Sequence, residues 1–538
     1  MSPTTSPRSR SRGARIRLAA AAISAAALLA ACGGGEVKAP AGPGGSVGTA
    51  PSGPADPTAT LRFSFGTDAG KNYDPVTAAN QFVNTFLLPV YDRLFDIDAQ
   101  GKVIPLLAEN TQVGADGKTL TLTLRRDVTF HDGAPFDAAA VKANLERAKT
   151  AERSSLKGDL AVVTSIDAPD RHTVVLHLAA PTASLPALLA DRAGMMISPR
   201  ALDNPDLDLM PVGAGPYKVV EDQPGAMIVY ERYDGYWNKS AVANAAKRIE
   251  LRVQLNPETR LRAVEAGEDD ATLINVDQYA AAAATGKHQV LVQHGTGALL
   301  VYLNMARNPA LAKPEVRAAL SAAIDREGIS RSILGGQCIV SPQIFPGGYW
   351  AAAPNLSANA SAFDVTAAKQ KLADAGFPNG FAMSMTVVNG APYSTVAEAI
   401  ASQFEQIGVK VDLQIAEPAQ VIAAFTGQKS ADSYVGLWPG AVDPARTVAS
   451  LYLPTGTFNP GAAQDPEIVR LAGEGLAAPD DATRAGVYQR LSARAVDQHV
   501  HLPICSAPSV IMASAKVRGL SSTISGTPDL RAVEITRG

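Results

Sequence analysis

Between Phe381 and Ile415 the hydrophobic pattern changes period twice. FAMSMTVV (381–388) alternates as a strand. In STVAEAIASQFEQIG (394–408), Val396, Ile400, Phe404 and Ile407 share one helical face that Gly408 brings to a stop, and VKVDLQI (409–415) alternates again. Two strands joined through a helix run parallel with a right-handed crossover, so this segment commits the chain to an α/β fold.

The rest of the chain extends that pattern. LRFSFGT, with Leu61, Phe63 and Phe65 alternating, predicts a half-buried strand where ordered sequence begins. GKTLTLTLRRDVTF alternates Leu120, Leu122 and Leu124, HTVVLHLA (172–179) is β-rich, and DSYVGLW ahead of Pro439 reads as a buried strand. DAAAVKANLERAKT predicts a helix capped by Asp137, with Val141 and Leu145 one turn apart. KPEVRAALSAAIDREGI and FDVTAAKQKLADAGF predict further amphipathic helices with Pro314 and Asp364 near their starts. There is no internal repeat and no heptad. A chain of 538 residues exceeds one hydrophobic core, and about two to four domains are expected.

The N-terminus follows different rules. Arg8, Arg10, Arg12, Arg15 and Arg17 precede LAAAAISAAALLAA (Leu18–Ala31), an uncharged run too short for the roughly 20 apolar residues of a membrane span. It fits a secretory signal, and the unpaired arginines favour the general export route. LAAC (Leu29–Cys32) resembles the lipobox of bacterial lipoproteins, which predicts cleavage before Cys32 and lipid on its thiol; plain cleavage after Ala31 is the alternative. Residues 33–58, almost all Gly, Pro, Ala, Ser and Thr, predict a flexible linker. GGSVG (44–48) matches the hydrolase elbow with Ser46 as nucleophile, but that motif requires a strand before it and a helix after it, which a linker lacks.

Composition narrows the function. With 48 basic against 51 acidic residues, and no basic block beyond residue 17, nucleic-acid binding is not expected. Seven scattered histidines, no H-E-x-x-H, no Walker A loop and no G-x-G-x-x-G after a strand leave no metal or nucleotide motif. His499 and His501 could chelate from one strand face, but a bland pair is the simpler reading. FHDGAPFD (130–137) puts His131 beside Asp132 in what reads as a turn before a capped helix. Cys338 and Cys505 are either a disulfide or two buried thiols, and spacing does not decide. Trp438, where a strand meets the Pro/Gly-rich loop PGAVDP, is placed either in a core or at a ligand-binding strand end.

Several segments together resemble the extracellular solute-binding proteins of the peptide and nickel class (family 5), which serve ATP-driven importers. They are VYDRLFDIDAQGKVIPLLAEN (90–110), LTLTLRRDVTFHDGAPFDAAAVKANLERA (120–148), PVGAGPYKVV (211–220, with Ala214 in place of the usual hydroxyl residue), YDGYWNKS, RAVEAGEDDATL, VRAALSAAIDREGI and AAKQKLADAGFPNGF, in the family's order. The resemblance covers about Leu61 to Ile511.

It implies a periplasmic-binding-protein-like α/β clamshell of type II with an extra third domain. Domain I would comprise 59–90, 197–275 and 515–538, domain II 91–196, and domain III 276–514. Two chain crossings would form a hinge, with a solute enclosed between the lobes. The implied partners are a peptide or other small solute (nickel chelate and sugar being alternatives) and a membrane permease with cytoplasmic ATPases. Neither cofactor nor metal nor catalysis is implied, the protein would be a monomer, and a clamshell sensor or chaperone is the rival role. Peptide-binding relatives often carry an aspartate three residues after the tryptophan matching Trp438, where it pairs with the peptide's ammonium group. Here that position is Ala441, so Asp443 either takes over through a shifted loop or opens a turn before Pro444. The resemblance further points to Gly440, to Asn304 in VYLNMARN and to Tyr73 in NYDP as ligand-binding positions.

Overall fold

The computed structural model describes residues 45–537 apart from 71, 79, 80, 205, 355 and 357–361. The expected signal sequence, Cys32 and the first part of the expected linker lie outside the described residues. In chain order, β1 (Gly45–Val47) and β2 (Thr60–Phe65) come first. An antiparallel sheet of four strands follows, made of β3 (Ala108–Val113), β4 (Thr119–Leu124), β5 (Val163–Asp170) and β6 (Thr173–Leu178) in the order β3-β4-β6-β5. Helix α1 (Ala138–Thr150) packs on it, and its N-cap is Asp137, whose carboxylate accepts the Ala140 N–H at 3.0 Å.

The chain then returns through β7 (Tyr217–Gln223), β8 (Met227–Arg232), β9 (Arg248–Val253), α2 (Pro257–Ala266) and β10 (Ala271–Ile274). The long strand β11 (Gln289–Leu303) leads to α3 (Pro314–Ala322), α4 (Val365–Asp374), β12 (Ala382–Val388), α5 (Tyr393–Gln406), β13 (Lys410–Ala416) and β14 (Ser433–Trp438). Last come α6 (Pro444–Leu451), α7 (Asp481–Asp497) and the second long strand, β15 (Leu502–Ala513).

The main sheet runs β13-β12-β14-β11-β15-β10-β2-β9-β8-β7. The β12-α5-β13 unit has the predicted parallel pairing, with Ala382 opposite Lys410, and β14 is parallel to β12. Strand β2 is parallel to both β9 and β10. That central position explains a departure from the sequence pattern: Ser64 is as buried as Phe63 and Phe65, because layers cover both faces of the strand.

The two halves of the sheet join where β11 and β15 pair antiparallel. His294 lies opposite Pro508 and Ala298 opposite Ser506, so Gly295-Thr296-Gly297 bulges against Ala507 alone. Such a bulge bends the strand, and a proline on the partner strand removes a ladder donor. The bulge is a local break in two strands that otherwise continue across the junction. One hydrophobic cluster surrounds β2, β9 and Tyr217; a second fills the four-stranded sheet and α1. On β11, Leu299, Val301 and Leu303 enter a third cluster, while Ala298, Leu300 and Tyr302 enter a fourth on the opposite face.

Two expectations concern loops. The His131–Asp132 segment is a turn: Ala134 N–H donates to Asp132 Oδ1 at 3.0 Å, and Ser198 Oγ donates to Oδ2 at 2.6 Å. His131 Nε2 bonds the Gly215 carbonyl at 2.9 Å, which brings FHDGAPFD and PVGAGPY together. A Cβ on Gly213 would lie 2.2 Å from the Val90 carbonyl oxygen, so glycine permits that approach.

The linker expectation needs correction over its second half. Gly45–Val47 pairs with Val290–Val292 of β11, Ala55 bridges Thr536, and Asp56 N–H donates to Ile535 O at 2.7 Å. Edge pairing uses backbone groups and needs no apolar side chains, so composition did not reveal it. Ser46 therefore lies inside an edge strand, opposite Leu291, and no helix follows it directly.

Candidate functional site

A cleft of about 330 Å³ opens over the β11–β15 junction. One wall comes from the C-terminal ends of the parallel strands β2 and β10, with Phe65, Gly66, Thr67 and Leu273–Val276. The other comes from the end of β14 and the start of α5, with Leu437, Pro439, Pro392 and Tyr393. Gly295, Gly297, Leu299 and Ala507–Val510 form its floor. The space outside the carboxyl ends of parallel strands is where open α/β sheets bind ligands. Both lobes contribute, so contacts to one solute can bias them toward closure.

Most of the lining is apolar. Thr67, Asn275, Ser509 and Ser525 add neutral polar groups, and among the described lining residues only Arg260 is charged. Its side chain comes from α2 and is 5% exposed. Nη1 donates to the carbonyls of Gln254 and Leu255 at 2.8 and 3.0 Å, and Nε to that of Leu273 at 3.1 Å. A Cβ on Gly66 would lie 2.7 Å from Nη1, so the guanidinium rests against the strand end where glycine leaves room. Burial pulls the Arg260 pKa below its usual value.

The loop after β14 is held by Thr296 of the bulge. Ala441 N–H donates to Thr296 Oγ1 at 3.1 Å, and that hydroxyl donates to Ala441 O at 2.9 Å. Gly440 has φ +88°, and a Cβ there would lie 2.4 Å from Thr296 Oγ1, so its role is to let the loop touch the bulge.

Asp443 is the main correction to the expected ligand set. It caps α6 by accepting the Ala445 N–H at 2.8 Å, and Arg484 of α7 donates to both of its carboxylate oxygens at 2.7 and 2.6 Å. Both side chains are 7% exposed. Of the two readings for Asp443, the structure realises the turn before Pro444, and the carboxylate is already paired.

Trp438 is buried in the fourth cluster, edge-on to Phe458 at 5.9 Å between ring centres. Leu437 and Pro439 face the cleft while Trp438 faces the opposite side, as strand alternation requires. Asn304 is buried beyond the end of β11, about 17 Å along the strand from Leu299. It donates to Ala431 O at 3.3 Å. Tyr73 lies in the first cluster against Phe86, with its hydroxyl donating to Asp222 at 3.3 Å.

Sequence reasoning did not single out Thr67, Arg260, Asn275 or Tyr393. The strand-end rule, had it been applied to LRFSFGT, would have pointed to Gly66 and Thr67; nothing local marked Arg260, which sits in a charged amphipathic helix.

The remaining candidates are structural. His501 uses both ring nitrogens: Nδ1 accepts the Leu303 N–H at 3.2 Å and Nε2 bonds Leu451 O at 2.9 Å, with burial pushing its pKa down to about 4. No metal-ligating cluster occurs among the described residues. Cys338 and Cys505 are joined as a disulfide with Cα atoms 5.6 Å apart, and Cys338 borders the cleft.

The family model "Bacterial extracellular solute-binding proteins, family 5 Middle" matches residues 102–459. A glutathione-binding protein, GsiB, of Salmonella paratyphi A is 29% identical over 383 residues, covering 69% of this chain and 72% of that protein. The dipeptide-binding protein of Pseudoalteromonas sp. SM9913, solved with Met-Leu, superposes with a TM-score of 0.76 at 23% identity, covering 88% of this chain and 100% of that one. NikA of Brucella suis, solved with Fe(III)-EDTA, gives 0.79 at 24% identity, covering 88% and 99%. With the clamshell, the strand-end cleft and this match together, the chain belongs to the bacterial extracellular solute-binding proteins of family 5.

Proposed function

We propose that this chain captures a short-peptide-sized solute between its lobes and delivers it to an ABC permease, as a monomer held at the membrane by lipid on Cys32. The observation that carries the reading is the cleft itself. It is walled by both halves of the sheet and floored by the bulged crossing of β11 and β15. A volume of about 330 Å³ suits a small solute. The GsiB relative is named for glutathione, a tripeptide, which supports a ligand of that size. The separate hydrophobic clusters support the partition into domains I (59–90, 197–275, 515–538), II (91–196) and III (276–514). Solute contacts from both walls stabilise a closed state that the permease recognises, and no bond is broken.

The test is to purify the mature protein, release bound small molecules by denaturation, identify them by mass spectrometry, and confirm rebinding by calorimetry. A deletion strain is expected to lose uptake of the identified solute. Unchanged uptake with altered signalling would instead make the chain a sensor, and absence of any bound or rebinding solute would overturn the reading.

The anchor has its own test. Retention is assigned to lipid on Cys32 because LAAC (Leu29–Cys32) resembles a lipobox. Cys32→Ala is expected to move the protein to the soluble fraction with solute affinity unchanged; persistent membrane retention would count against the anchor.

A further inference from the structure

The charge of the cleft wall is one-sided. Among the described residues that line it, none is Asp or Glu, and Arg260 is the single charged side chain. A buried guanidinium needs compensation, from a carboxylate or from backbone carbonyls as at Arg317, which bonds the carbonyls of Leu311, Ala312 and Gln498; Arg260 differs from it in lining the cleft. Arg260 forms no ion pair among the described residues. Its bonds go to the carbonyls of Gln254, Leu255 and Leu273 through Nη1 and Nε, and none is made by Nη2.

The acids that could have answered a cationic ligand are elsewhere. Asp443 is held by Arg484, Asp68 is exposed near Gly225, and Asp277, whose Oδ1 is buried without a hydrogen-bond partner among the described residues, follows Val276 of the wall without itself lining the cleft. Ala441, in the loop after β14, has its backbone tied to Thr296 and brings no charge to the cleft. A free ammonium entering this cleft would be desolvated with no carboxylate in the lining to meet it, whereas a carboxylate would meet a guanidinium already oriented by three carbonyls.

We infer that the solute is a small carboxylic acid with no free ammonium group in the cleft, its carboxylate received by Arg260 beside Gly66. This rests on the solute-capture reading above and adds the charge class of the solute. Amide or other neutral polar groups of such an acid would face Thr67, Asn275, Ser509 and Ser525.

Three forms of one dipeptide test this by calorimetry: N-acetyl-Met-Leu (acid, no amine), Met-Leu (acid and amine) and N-acetyl-Met-Leu amide (neither). N-acetyl-Met-Leu is expected to bind at least about tenfold more tightly than either of the others. Arg260→Gln is expected to reduce the ratio between the acid and its amide to near one, and Arg260→Lys to retain part of it. That ratio does not respond to a purely structural loss, and circular dichroism checks that each variant folds. Equal or tighter binding of Met-Leu or of the amide by the wild-type protein overturns the charge assignment and leaves solute capture standing. Failure of all three to bind, together with release of an amine or a neutral molecule from the denatured protein, also overturns it. Release of nothing at all, with none of the three binding, overturns the capture reading as well.

Discussion

Asp443→Ala is expected to lower the unfolding free energy by about 3–5 kcal/mol, measured by urea denaturation with tryptophan fluorescence. The substitution leaves the Arg484 guanidinium buried without its bidentate partner, against the rings of Trp350 and Tyr488 at 5.2 and 5.3 Å. It also removes the N-cap of α6, which accounts for about 1 kcal/mol of the effect. The two contributions separate in a double variant. Asp443→Ala with Arg484→Met is expected to regain most of the loss, since replacing both members of a buried pair by apolar groups is far less costly than removing one. A single-variant loss under about 1 kcal/mol would show that the pair does not hold the loop after β14. The consequence reaches the site, because that loop carries Pro439 and the Thr296-bound Ala441 into place.

The second large effect concerns Cys338 and Cys505. Replacing both by alanine is expected to cost about 2–4 kcal/mol, because the bond closes a loop of 167 residues and restricts the unfolded chain. A disulfide of this kind suits the oxidising conditions outside the cytoplasm. A reducing agent is expected to destabilise the wild-type protein by a similar amount and to leave the double variant unaffected; equal sensitivity of both would mean the bond is absent. The bond also anchors the segment around Leu334 and Cys338, which borders the cleft, to β15 beside the bulge. Solute affinity is therefore expected to fall with stability in the double variant.

The reach of sequence reasoning differed between particular residues. The β12-α5-β13 unit, the cap Asp137 and the helix start near Asp364 were legible because helix period, strand alternation and capping are set by residues a few positions apart. Family segments such as PVGAGPY were legible as a pattern, while the reason for their glycines appeared only when Val90 was seen against Gly213. The docking of Gly45–Val47 was not legible, because its partner lies more than 240 residues away and the bonds are made by backbone.

The site shows the same division more sharply. The sequence directed attention to Trp438, and the cleft indeed begins there, but at Leu437 and Pro439 on the other face of the chain. Which face a strand residue presents depends on its pairing, here Trp438 opposite Ala298 and Leu437 opposite Leu299, and a shift of one residue would have reversed it. Asp443 had two readings in sequence, and Arg484, 41 residues further along, decided between them. Arg260 had none, since a charged residue on an amphipathic helix ordinarily faces water.

By itself, then, the sequence determined the fold class, the family and the neighbourhood of the cleft, all of which rest on local periodicity and on segments kept in order. Only the tertiary structure decided which side chains face the solute and which charges are already paired. Those outcomes depend on strand register and on contacts between residues far apart in the chain, which no local pattern encodes.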